Sequence, residues 1–296
     1  MNRILRAPWH DYTQRCIYLV TLNKRPLVES FGSLEGDCHL PAGTKGSSYI
    51  RATAVGSAIR KVLKNFNLIE PKIRILQYAL MPDHLHILLF VTEQTEEILG
   101  RIIARSKVEV NREIGRNGVF AKGFNDQILK PTRSLDTLYR YLRDNPRRLA
   151  VRREHPEYFR RVNRLKIGDK TYQAYGNIQL LDCSFKEAVV IHRADSEETR
   201  RHNRERWLYT ASNGGVLVSP FISAAEKALR AEADDAGSRF IMITNEPIDE
   251  RYKPLGHDFA LCEAGRLLII SANFPGPLSR QTCLEMNALA LNLSLN

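Results

Sequence analysis

The sequence predicts two mixed domains: an α+β domain built on an antiparallel sheet, then an α/β domain with a parallel sheet. Three observations carry this. Two short apolar runs flank a Pro-Asp turn in the first half, helical and strand periods alternate regularly in the second, and the basic excess is confined to the first half. At 296 residues the chain suits two domains. Its 43% hydrophobic and 26% charged content is that of a folded protein.

Taken in order, Ile17–Leu22 reads as a strand and Ile50–Asn67 as a helix, by apolar residues three and four apart. Ile73–Leu80 and His84–Val91 are strands joined across Met81-Pro82-Asp83, a tight-turn composition. Thr95–Ile114 reads as an amphipathic helix with Ile98, Ile102, Val108 and Ile103 facing inward. Ser134 suits the cap of a further helix that runs through Leu135, Leu138, Tyr141 and Leu142 and stops at Pro146. Helices interleaved around a hairpin predict a ferredoxin-like sandwich. Residues 147–175 read as a basic connection or a helix packed on the first domain, and the boundary is placed at 168, giving domains 1–168 and 169–296.

Beyond it, Val189–Arg193, Val216–Pro220, Phe240–Thr244 and Leu267–Ser271 are strand candidates. Helices are expected over Ser196–Ala211, from a Ser223 cap to Gly237, and over Ser279–Leu293. This alternation predicts a Rossmann-like α/β domain. No glycine-rich dinucleotide or phosphate loop is present, so no nucleotide cofactor is expected.

The charge narrows the partners. The net charge is +11; residues 1–160 hold 27 basic and 16 acidic side chains, and residues 161–296 hold 17 of each. The whole excess lies in the first half, which points to a polyanion there. The five cysteines are scattered with no C-x-x-C pair, which fits a reducing compartment. No run reaches the roughly 18–20 apolar residues of a membrane span. The first residues carry charges where a signal peptide has its apolar stretch. A cytoplasmic, prokaryotic, nucleoid-associated protein with no membrane partner is expected.

The chemistry concentrates in Pro82-Asp83-His84-Leu85-His86. On a strand, His84 and His86 point to one face while Leu85 and Ile87 point to the other. Two adjacent imidazoles make a pair of metal ligands. Downstream, Tyr141-Leu-Arg-Asp-Asn145-Pro146 puts Tyr141 and Asn145 on one helix face. An amide oxygen at Asn145 can complete a metal site begun by the histidines. Tyr139 lies roughly 200° around that helix from Tyr141. Asp83 and Asp126 read as structural or supporting groups. Arg105, Lys107, Arg112, Arg140, Arg143, Arg147 and Arg148 are candidate phosphate contacts or a solvated basic face.

This ordered set resembles the single-tyrosine transposases of the His-hydrophobe-His (HUH) endonuclease superfamily, and within it is most similar to the REP-associated tyrosine transposases. The set comprises the Pro-Asp-His-hydrophobe-His strand, a helix, a segment like Phe120–Asp126, and a Tyr-Leu-x-x-Asn-Pro helix. The resemblance covers about residues 10–165. It implies a ferredoxin-like catalytic domain, a divalent metal such as Mg²⁺ or Mn²⁺, and cleavage and rejoining of single-stranded or hairpin DNA through a 5′-phosphotyrosine. It places the metal on His84 and His86, the nucleophile at Tyr141 and a third metal ligand at Asn145. Monomer and homodimer are both compatible with it. A DNA-hairpin binder without catalysis and a replication-type nickase are the alternatives. In the second half, Gly214–Ser223 shows a short similarity to the Rossmann-like domain of DNA-processing proteins that load recombinase on single strands.

Overall fold

The computed structural model describes residues 7–129, 134–250, 252–274 and 278–295, the first six residues of the N-terminal stretch lying outside it. The chain forms two compact units, 1–151 and 152–296.

In the first unit, β1 (Cys16–Asn23), β4 (Ile73–Leu80), β5 (His84–Val91) and β6 (Asn125–Ile128) form one sheet in the order β4-β5-β1-β6. Every pairing in it is antiparallel. Helix α1 (Ala54–Lys64) joins β1 to β4, and α2 (Leu99–Ile114) joins β5 to β6. A small ribbon of β2 (Gly32–Glu35) and β3 (Tyr49–Ala52) is inserted before α1. Alternation along β1 and β5 sends Tyr18, Val20, Leu22, Leu85, Ile87 and Leu89 into a core shared with α1 and α2. Gly56 allows α1 to sit this close, since a Cβ there would fall 1.9 Å from the Phe31 carbonyl oxygen.

The opposite sheet face is covered by α3 (Leu135–Glu154), whose Leu138 and Leu142 pack on Ala79 and Leu88. This helix does not stop at Pro146, as expected, but runs through it. Proline cannot donate to the Leu142 carbonyl, yet its fixed φ is helical, and packing of Leu138, Leu142 and Val151 keeps the helix going.

Other expectations are corrected here. Ile50–Ala52 belongs to β3, and the helix begins only after Thr53, whose side chain accepts from the Gly56 N–H. Ile98 and Val108 are exposed; the buried stripe of α2 is Leu99, Ile102, Ile103, Ser106 and Val110.

The second unit carries a six-stranded sheet ordered β7-β8-β12-β11-β10-β9. Strands β9 (Lys186–Ala188), β10 (Val216–Ser219), β11 (Arg239–Thr244) and β12 (Leu267–Ser271) are parallel and follow chain order. The linking helices are α4 (Glu197–Ser212), α5 (Ala224–Asp235) and α6 (Gly256–Glu263), and α7 (Arg280–Leu295) packs through Met286, Leu289, Ala290 and Leu293. Ser223 and Glu226 close α5 with a reciprocal capping box. Of the stretch 147–175, read as a connection or a helix, residues 147–154 complete α3, and the rest leads into the hairpin β7 (Arg160–Ile167) and β8 (Lys170–Gly176), which adds to β12 antiparallel. Residue 168 therefore lies inside a hairpin of the second unit, and the unit boundary falls earlier, in the last turn of α3. The strand expected at Val189–Arg193 is β9, shifted toward the N-terminus. Helix α6 gave no clear period in the sequence. Among the described residues, no helix is long and apolar enough to cross a membrane.

Candidate active site

His84 and His86 stand on β5, with Leu85 and Ile87, each 1% exposed, anchoring the strand from the other side. Their Nε2 atoms are 3.1 Å apart. Each Nδ1 is held by an oxygen: His84 by Asp83 Oδ1 at 2.7 Å, His86 by Thr21 Oγ1 at 2.8 Å. Thr21 is the residue directly opposite His86 in the β1–β5 register. When Nδ1 donates to such an oxygen, Nε2 keeps its lone pair for a cation. Two ligands in adjacent positions about 2.1 Å from an octahedral ion lie about 3.0 Å apart. The observed spacing fits that.

Helix α3 crosses this same face. Leu138, Tyr141, Leu142, Asn145 and Arg148 recur at three- and four-residue intervals and so form one stripe toward the sheet. The Tyr141 ring centroid is 6.0 Å from that of His86. The Arg148 guanidinium carbon lies 5.7 Å from the Tyr141 ring. Asn145 is buried, and its side-chain nitrogen has no hydrogen-bond partner. A buried amide left unpaired costs roughly 1–3 kcal/mol, so such groups sit where a ligand or ion completes them. Rotated by 180°, this amide puts Oδ1 in place of the orphaned nitrogen; imidazole and amide oxygen donors suit a hard or borderline divalent cation. The spacing and donor chemistry of the histidine pair thus fit the divalent metal that the resemblance implies.

Tyr139 is partly buried against the same apolar cluster as Tyr141. It is Tyr141 whose ring approaches His86. Asp126 pairs with Val20 and so lies on the far face, away from the histidines. That face also buries Tyr18 Oη, which bonds His10 Nε2 at 2.7 Å and whose ionisation is pushed upward by burial.

The candidate phosphate contacts separate into two groups. Arg105, Lys107 and Arg112 belong to α2, across the sheet from the histidines. Arg105 pairs with Glu70 and Glu97, and Arg112 with Glu109. Lys107 donates to the Ala121 and Gly123 carbonyls, and burial lowers its pKa. Arg140, Arg143, Arg147 and Arg148 lie on α3; Arg140 and Arg143 are exposed, and Arg147 is 3.8 Å from Asp144.

Two features escape sequence reasoning. Asn125, paired with Thr21, lies on the histidine face of the sheet, as Thr21 does. Only the strand register shows this. Asp37, Cys38 and His39 bring three donor atoms within 4.8 Å of one another, a second place able to hold a metal ion. Three adjacent ligand-type residues were the available signal.

No protein-family model matches the chain. An uncharacterized protein of Haemophilus influenzae is 22% identical over 169 residues, spanning 49% of this chain and 88% of that protein. Among solved structures, a REP-associated tyrosine transposase bound to a REP hairpin is similar to 48% of this chain and 73% of its own, at 13% identity and a TM-score of 0.35.

Proposed function

We propose that this chain is a metal-dependent, single-tyrosine DNA transposase or endonuclease, cleaving and rejoining single-stranded or hairpin DNA through a 5′-phosphotyrosine. One observation carries the reading: the His84–His86 pair, with Nε2 atoms 3.1 Å apart, has the Tyr141 ring 6.0 Å from His86, and Asn145 follows Tyr141 by one helical turn. The sheet order β4-β5-β1-β6, with α1 and α2 on one side, supports reading the first unit as a ferredoxin-like catalytic domain. The second unit reads as a Rossmann-like α/β domain.

A divalent cation, Mg²⁺ or Mn²⁺, held by His84, His86 and Asn145 would polarise the scissile phosphodiester and offset its charge. Tyr141 Oη attacks phosphorus in line, forming the Oη–P bond as the P–O3′ bond breaks. The phenolic proton passes to water, and the departing O3′ takes a proton to become a free 3′-hydroxyl. One ester replaces another, so no ATP is consumed, and a later 3′-hydroxyl reverses the exchange. Arg148 places positive charge against the Tyr141 ring, where it offsets charge gathering at the phosphate. Arg140 and Arg143, exposed on the same helix, are the phosphate contacts this reading favours. Such a protein works in the cytoplasm, at the nucleoid.

The test is a covalent-adduct assay. Labelled single-stranded oligonucleotides, including hairpins from DNA flanking the coding region, are incubated with protein and Mn²⁺ and run on denaturing gels. Protein-linked DNA that is lost in Tyr141→Phe and His84→Ala, but kept in Tyr139→Phe, supports the proposal. Tight binding that persists in EDTA, with no adduct on any substrate, replaces it with a binding-only role.

A further inference from the structure

The second unit contains a crevice of about 380 Å³ at the carboxyl ends of β9 and β10, between α4 and α5. That volume suits a small ligand. Trp207 forms the buried base, its indole N–H fixed 3.0 Å from the Ala188 carbonyl oxygen. Leu229 adds apolar surface, and Ala228 leaves one wall of α5 flat. Asn203 offers a half-buried amide.

The rim carries three arginines, Arg193, Arg200 and Arg204, with two carboxylates, Asp195 and Glu232. Arg200 Nη2 donates to the carbonyls of Arg193 at 2.9 Å and His192 at 3.4 Å. The Asp195 carboxylate accepts from the His192 backbone N–H at 2.8 Å. These bonds fix the loop that presents Arg193. Across the opening, Arg204 is neutralised by Glu232.

An apolar base beside an aromatic ring, one amide and an arginine-bearing rim select a ligand with a planar body, a hydrogen-bonding edge and a negative group. We infer that this crevice binds a nucleoside monophosphate unit. The phosphate is met by side chains of the rim, since the chain lacks a glycine-rich phosphate loop. The unit can arrive as a free mononucleotide or as the end of a DNA strand. The inference does not rest on the chemistry at His84 and His86.

The experiment is equilibrium dialysis of the full chain against radiolabelled dAMP and, separately, a 5′-labelled tetradeoxynucleotide. Saturable binding is expected, weakened at least tenfold by Ala228→Phe, which fills the crevice, and by Arg193→Ala on the exposed loop. Circular dichroism confirms that each variant is folded. Tighter binding of dAMP identifies a free mononucleotide, and tighter binding of the tetranucleotide a strand end. No saturable dAMP binding at millimolar concentration, or dAMP binding that survives both crevice substitutions, overturns the inference.

Discussion

Thr21 Oγ1 lies 2.8 Å from His86 Nδ1, directly across the β1–β5 pair. This hydroxyl fixes the ring's orientation and, by accepting from Nδ1, puts the ring's lone pair on Nε2, the atom that faces His84 Nε2. Thr21→Val keeps the strand's shape and removes the acceptor. We predict that Mn²⁺ affinity, measured by titration calorimetry, falls about 10–100-fold in Thr21→Val. Unchanged affinity would show that the hydroxyl plays no part.

Asn145 sets stability against binding. Its side-chain nitrogen is buried without a partner, which costs the fold roughly 1–3 kcal/mol. Asn145→Leu, of similar volume, should stabilise the metal-free protein by about that amount in chemical denaturation. It should also abolish the extra stability that Mn²⁺ gives the native state. A less stable metal-free variant would mean the amide is paired in the fold.

How much of this was legible depended on whether a signal was local. His84 and His86 were readable because a strand's period of two fixes which side chains share a face. That Tyr141 and Asn145 share a helix face was readable for the equivalent reason. Thr21 was not, since an ordinary threonine in an ordinary strand gains its meaning from register with a residue sixty-five positions away. Pro146 misled because its local rule is to end helices, and packing of Leu138, Leu142 and Val151 overrode it. The β7–β8 hairpin was hidden by its charge: Arg160, Arg161, Arg164 and Lys166 in β7 mask an alternation whose apolar residues, Val162, Leu165 and Ile167, pack on the core of the second unit.

Pro146 leads to a further prediction. Pro146→Ala restores an N–H that can donate to the Leu142 carbonyl, a gain of up to about 3 kcal/mol. The freer unfolded chain offsets about 0.4–1 kcal/mol of it. Net stabilisation of about 1–2 kcal/mol is expected in urea denaturation. A loss would show that the proline's geometry is needed to seat Leu142 and Asn145 against the sheet.

Cys262 makes the second unit sensitive to alkali. Its side chain in α6 is fully buried, and burial, with the Asp258 carboxylate adding to it, pushes the thiol up to about 12 from an ordinary 9.0. Burial likewise raises the Tyr252 phenol. An acid whose pKa is higher folded than unfolded favours the fold while both states keep the proton. That contribution is complete below about pH 9 and disappears as pH rises toward 12. The second unit should therefore lose stability steadily above pH 9, and Cys262→Ala should flatten the loss, both read by denaturation at fixed pH. At pH 8 a thiol reagent should label the half-buried Cys183 and Cys283 while Cys262 stays intact until the unit unfolds. Rapid labelling of Cys262 in the native protein, or an alkaline loss that Cys262→Ala leaves unaltered, would contradict the assignment.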